Sequence, residues 1–179
     1  MTGKFLRILA FSLFFVVVSA TNAHSLERKS RFATLRYINK EELRDFNEEL
    51  YIGRSLGRML RKRNTVTIED EVMAKVDIII EKAQVVLDMF PDNMHITVVI
   101  LPGARDVAKV YEQHYGRKAN HIAYYSLSEK TIYMSIRDTS LEVFSHEVGH
   151  AVVDHFFQVR PPYNIHELMA QFTAKHIED

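Results

Sequence analysis

Residues 138–157 read DTSLEVFSHEVGHAVVDHFF, and the spacing within this stretch organises the reading of the whole chain. Asp138-Thr139-Ser140 places capping chemistry ahead of an apolar-periodic run, and Thr139 with Glu142 has the spacing of a capping box. The expectation is a helix running to about Phe157. Val143, Phe144, Val148 and Val152 would bury one side of it. Gly149 would allow another backbone to approach closely. His146 and His150 stand one turn apart on one face, with Glu147 beside them.

Two imidazoles in that arrangement can hold one Zn²⁺ at about 2.0–2.1 Å each. Glu147 follows His146 directly and cannot easily share the coordination. It can reach the open metal position and act as general base toward water there. The H-E-x-x-H pattern fixes only three positions in a chain with nine histidines, and the plainer reading is a helix with two incidental histidines. The capped helix directly after a hairpin favours the metal. A catalytic zinc usually takes a third protein ligand and keeps one position open. A metzincin pattern would put a histidine at position 156 and a glycine at 153, where this chain has Phe156 and Val153. His155 is one residue out of register and is expected to make an ordinary helix-surface or core polar contact. Asp154, one turn after His150, would either orient a ligand imidazole or face solvent.

Outward from this helix the chain divides by its periodicity. Residues 24–39 are polar and basic and read as a linker. Residues 40–63 read as a helix, with Leu43, Phe46, Leu50, Leu56 and Leu60 near helical spacing and Arg58, Arg61, Lys62 and Arg63 at its end. That basic cluster is read as a favourable helix end rather than a binding patch. Residues 67–90 form a second helix, with Thr67 as cap and Pro91 after its end. HITVVIL at 95–101 is a buried strand, 104–115 a short helix stopped by Gly116, and 121–136 two apolar runs around a hairpin loop at Leu127-Ser128-Glu129-Lys130. Pro161-Pro162 breaks the chain before a last helix over about 164–177. The order predicts an α+β domain with a small sheet over residues 40–179.

The last helix carries Asn164-Ile165-His166-Glu167-Leu168-Met169-Ala170-Gln171-Phe172. Here, with HEVGH upstream, the chain resembles the gluzincins, the HExxH zinc peptidases whose third ligand is a Glu on a following helix. Their second motif often reads N-E-G-x-A-E-Y or N-E-x-x-S-D; this one reads H-E-L-M-A-Q-F, with Glu167 seventeen residues after His150. The resemblance covers about residues 95–177. It implies a zincin-like fold with N-terminal helices, a small mixed sheet with an edge hairpin, an active-site helix and a C-terminal ligand helix. It implies Glu167 as third zinc ligand beside His146 and His150, and Glu147 as catalytic base. Asn164 to Glu167 also has capping spacing, and His166 is a competing ligand. Gln171 stands where the family often has an acid, and can bond a ligand imidazole without adding charge. The hairpin HIAYYSLSEKTIYMS would offer its outer run, through Ala123 and Tyr124, as the edge that pairs with an extended substrate. Larger gluzincins take an oxyanion donor from a C-terminal subdomain; here the candidates are Tyr163, His166 and Tyr133.

Composition narrows the function classes. Charged residues cancel to a net charge of zero, which speaks against phosphate-held nucleic-acid binding. There are no cysteines, so neither disulfides nor thiolate ligands enter. Residues 1–23 read as a signal peptide, with Lys4 and Arg7, the apolar run Ile8 to Val18, and small residues at Val18-Ser19-Ala20 or Thr21-Asn22-Ala23; the alternative is an uncleaved N-terminal anchor. No later segment is apolar enough to span a bilayer. The expectation is an exported metallopeptidase with one Zn²⁺ and a peptide or protein substrate. The alternative is a non-catalytic zinc-binding interaction module.

Overall fold

The computed structural model describes residues 25–179; the signal-peptide reading lies outside the described residues. Six helices and a mixed five-stranded sheet make an α+β fold. In chain order these are β1 (Leu26–Lys29), β2 (Ala33–Tyr37), α1 (Lys40–Glu49), α2 (Gly53–Leu60), α3 (Ile68–Leu87), β3 (Ile96–Leu101), α4 (Ala104–Tyr115), β4 (Ala123–Ser126), β5 (Thr131–Ser135), α5 (Leu141–Phe156) and α6 (Tyr163–His176). Among the described residues no helix is long and apolar enough to cross a membrane.

The sheet order is β1-β2-β3-β5-β4. β2, β3 and β5 run parallel, and the outer strands β1 and β4 are antiparallel to their neighbours. The linker reading of 24–39 is therefore corrected: this segment supplies two strands. Ala33, Leu35 and Tyr37 alternate into the core, a period-two pattern hidden among basic residues. The single helix read over 40–63 is also corrected to two. Asn39 caps α1 by accepting from the Glu42 amide, and the chain turns at Gly53, whose φ of 69° suits a residue without a Cβ. Leu43, Phe46 and Leu56 still reach one core. At the end of α2, Arg63 pairs with Glu81 of α3.

α3 begins with a complete capping box between Thr67 and Asp70. α4 ends at Gly116 in the left-handed region. The cap of α5 is Ser140, which accepts from the Val143 amide at 3.1 Å. Thr139, the residue expected there, donates instead to the Ser135 carbonyl at 2.7 Å and ties the helix start to the end of β5.

The two sheet faces differ. Ile96, Val98 and Ile100 of β3, Ile132 and Met134 of β5 and Ala123 of β4 join Phe144, Val148 and Val152 of α5 and the apolar side of α3. Burying each large aliphatic or aromatic side chain of this kind is worth about 1.5–3 kcal/mol. The opposite face carries a smaller cluster of Val107 and Tyr111 from α4 with Tyr124, and Tyr133 packed against it. α5 lies behind the β4 edge, so its His146–His150 face opens beside the outermost strand.

Candidate metal centre

His146 and His150 point from adjacent turns of α5 toward α6. Their Nε2 atoms are 3.1 Å apart, with the rings edge to face. Glu167, in the second turn of α6, brings Oε1 to 3.5 Å from His146 Nε2 and Oε2 to 3.4 Å from His150 Nε2. These three residues form a group that could hold a metal ion, with all ligand atoms within 4.8 Å of one another. The structure thus brings together the two histidines and the glutamate singled out in the sequence. It does not use Glu167 as a cap: Pro162 stands at the N-cap of α6, with no side-chain cap bond.

The convergence depends on how closely α6 approaches α5. A Cβ at Gly149 would stand 2.9 Å from the Ala170 Cα and 2.8 Å from Thr173 Oγ1. Glycine removes that obstruction, and Glu167 sits one turn before Ala170.

Glu147 turns the other way, toward β4. It is only 8% exposed. Burial raises its pKa to about 8; the Tyr125 backbone amide beside the carboxylate works against this, and the Glu167 charge adds to it. His150 moves in the opposite sense: burial first, then His146, His166 and Arg160, lower its pKa to about 3. His150 is thus neutral across the physiological range, as a ligand must be.

The Glu147 shift predicts a pH dependence for the metal-free protein. An unfolded glutamate ionises near 4.5, so between 4.5 and about 8 the folded chain holds a proton that the unfolded chain has lost. Its stabilisation is fully present below 4.5 and is lost as pH rises through about 8. His150 acts oppositely, but only below its ordinary 6.5, so pH 7 to 9 lies clear of it. Over that range, metal-free protein should lose roughly 2–5 °C in melting temperature. Glu147→Gln should flatten that slope. Calorimetry showing the same slope in both proteins would discard the buried-acid account.

His166 is a supporting residue that local spacing could not assign. It is 1% exposed, its ring stacks on that of His150, and the two Nδ1 atoms are 2.8 Å apart. With His150 Nε2 turned to the ligand group, the His150 proton belongs on Nδ1, which donates to His166 Nδ1. His166 therefore stands behind His150 and outside the group of three, and its buried Nε2 has no hydrogen-bond partner among the described residues. His166→Phe keeps the ring and removes the acceptor. It should weaken metal affinity by about 10–100-fold, read by competition against a chromophoric chelator. Unchanged affinity would reduce His166 to packing.

The other predicted positions resolve individually. Gln171 donates from Nε2 to Glu167 Oε1 at 3.1 Å, so it steadies the carboxylate rather than an imidazole. Asp154 accepts from the Tyr125 hydroxyl at 2.8 Å and pairs with Lys130. It ties α5 to the hairpin and orients no ligand. His155 bonds the Ala151 carbonyl, as an ordinary helix contact. Tyr133 bonds Glu129 on the α4 side of the sheet. Tyr163 is 72% exposed and lines the cleft over the ligands.

β4 is the free edge expected of the hairpin's outer strand. The Ser135 amide donates to the Ile122 carbonyl at 2.8 Å, which sets the antiparallel alternation. Tyr124 and Ser126 then turn their backbone groups to β5, while Ala123 and Tyr125 turn theirs to the open side. Of the expected pair, Ala123 has the outward backbone. Tyr124 contributes its ring, stacked on Tyr133 and lining the cleft.

The chain matches no family model, no curated protein and no solved structure.

Proposed function

We propose that this chain is a zinc-dependent peptidase of the gluzincin type with a zincin-like fold. The observation that carries this is the meeting of Glu167 with the His146–His150 pair while Glu147 stays outside the ligand group, buried beside it. A tetrahedral ion with bonds of about 2.0–2.1 Å separates its ligand atoms by about 3.3–3.4 Å. The two Nε2 atoms stand 3.1 Å apart and each lies 3.4–3.5 Å from one of the two Glu167 oxygens, so both imidazoles and the carboxylate stand near that spacing. Two neutral imidazoles and one carboxylate also suit zinc and leave a position open.

Bound zinc supplies Lewis acidity to a carbonyl oxygen and to water. The remaining work belongs to the chain. The outward backbone of Ala123 pairs with an extended peptide by β-augmentation. The Tyr125 backbone amide beside Glu147 favours its ionised form. Glu147 takes a proton from the attacking water as its oxygen bonds to the carbonyl carbon, and delivers it to the amine nitrogen as the C–N bond breaks. The leader-like segment at 1–23 supports export as part of this reading.

The test is reconstitution. Purified full chain should carry one zinc by elemental analysis and cleave members of a mixed peptide library. A chelator should abolish cleavage, and one equivalent of zinc should restore it. A fully zinc-loaded chain that cleaves no peptide or protein would replace this reading with that of a metal-binding interaction module.

A further inference from the structure

The cleft above the ligand group is electrostatically lopsided. On one side of His146 and Glu147 it continues between Tyr111, Tyr124, Arg117 and Arg160, enclosing about 460 Å³. On the other side it continues past Val143 and Ala174 to Glu142, Glu178 and Lys175. Both halves include Ala123, so a peptide laid along the β4 edge crosses from one to the other.

The first half holds two guanidinium groups without acidic partners. Neither Arg117 nor Arg160 makes an ion pair among the described residues. Arg117 is nonetheless held in place: its Nε and Nη2 donate to the Tyr111 hydroxyl at 3.1 and 2.8 Å. Tyr111 is itself buried, so an exposed guanidinium stands on a fixed aromatic post. Arg160 comes from the opposite wall, the connection between α5 and α6, near enough to influence both His150 and His166. Burial, and then Arg117, lower the pKa of His121 on the same side. The acids lining this half are Glu147 and Glu167, whose two negative charges a bound Zn²⁺ offsets. Two positive charges then remain in this half, against two acids and one lysine in the other.

We infer that the space between Arg117 and Arg160 is a subsite for a carboxylate, so that favoured substrates carry Asp or Glu on one side of the scissile bond. A planar guanidinium matches a carboxylate in charge and shape, and one already anchored loses little freedom on binding it. This rests on the peptidase reading above and deepens it.

The experiment uses zinc-loaded full chain and internally quenched peptides with Asp, Asn or Lys at each of three positions on either side of one cleavable bond. At one side only, kcat/KM should favour Asp over Asn by about tenfold, a factor set by charge-assisted bonds to exposed groups. The preference should shrink in about 0.5 M NaCl, where surface charges are screened within a few ångström. The ratio should approach one in the Arg117→Gln/Arg160→Gln double variant and turn toward Lys in Arg117→Glu/Arg160→Glu. Melting curves confirm that each variant is folded. Cleavage without any preference for Asp overturns the subsite while leaving the peptidase reading intact. So does an equal loss on Asp and Asn peptides in the double variant, which would place the arginines at the reacting bond. If no peptide is cleaved at all, the peptidase reading fails, and anisotropy with the same peptides decides the subsite: equal binding of Asp and Asn peptides overturns it too.

Discussion

Glu147→Gln is expected to keep one zinc per chain and to lower peptide cleavage by about 10²–10⁴-fold, the range a positioned general base contributes. The two readouts separate because Glu147 lies outside the ligand group of His146, His150 and Glu167. Gln has the same length and branching, so it can occupy the buried position against β4. It cannot hold the proton removed from water or return one to the leaving nitrogen. The environment sharpens the expectation. Burial raises the Glu147 pKa toward 8 in the metal-free chain, and a nearby divalent cation favours the ionised form, bringing it back toward working pH. Glu147→Asp, one methylene shorter, should fall between wild type and the Gln variant. Zinc lost together with activity would make Glu147 structural. Activity kept in the Gln variant would end its role as base.

How much of this was readable in advance follows the range of the interactions. α5 was legible because its signals are local: a capping serine and threonine, a 3.6-residue apolar period, and two histidines one turn apart. Even there the cap moved from Thr139 to Ser140, since Thr139 had a better acceptor in the Ser135 carbonyl. β1 and β2 were not legible. β1 is exposed throughout, and β2 gains its inward alternation only by pairing with β3, some sixty residues away. Asp154 and His166 show the same limit within the site. Asp154 has good helical spacing to His150, yet the hairpin supplies Lys130 and Tyr125 as stronger partners. His166 has no helical relation to His150 and meets it only because α6 folds back on α5. The β4 edge was visible as a strand, but which residues turn outward depends on register with β5, and register favours Ala123 and Tyr125.

Gly149→Val should damage fold and site together. The obstruction is backbone: a Cβ at 149 would meet the Ala170 Cα at 2.9 Å as well as the Thr173 side chain. Overpacking of this kind costs about 1–3 kcal/mol. The gain from replacing a mid-helix glycine is at most about 1 kcal/mol, and a β-branched residue recovers only part of it. α6 must therefore retreat, and Glu167 retreats with it while His146 and His150 stay on α5. Ligand atoms now 3.4–3.5 Å across the helix pair would separate beyond what one small ion can bridge. Zinc affinity should fall by more than about tenfold, a loss comparable with removing a supporting partner, alongside a melting temperature lower by roughly 2–8 °C. Gly149→Ala should show the same pattern more weakly. Thr173→Ala is the discriminating background. If the flexible Thr173 hydroxyl were the main obstruction, removing it would restore zinc affinity to the Gly149→Ala variant. Contact with the Ala170 backbone predicts no such rescue, because only movement of the helix itself can relieve it.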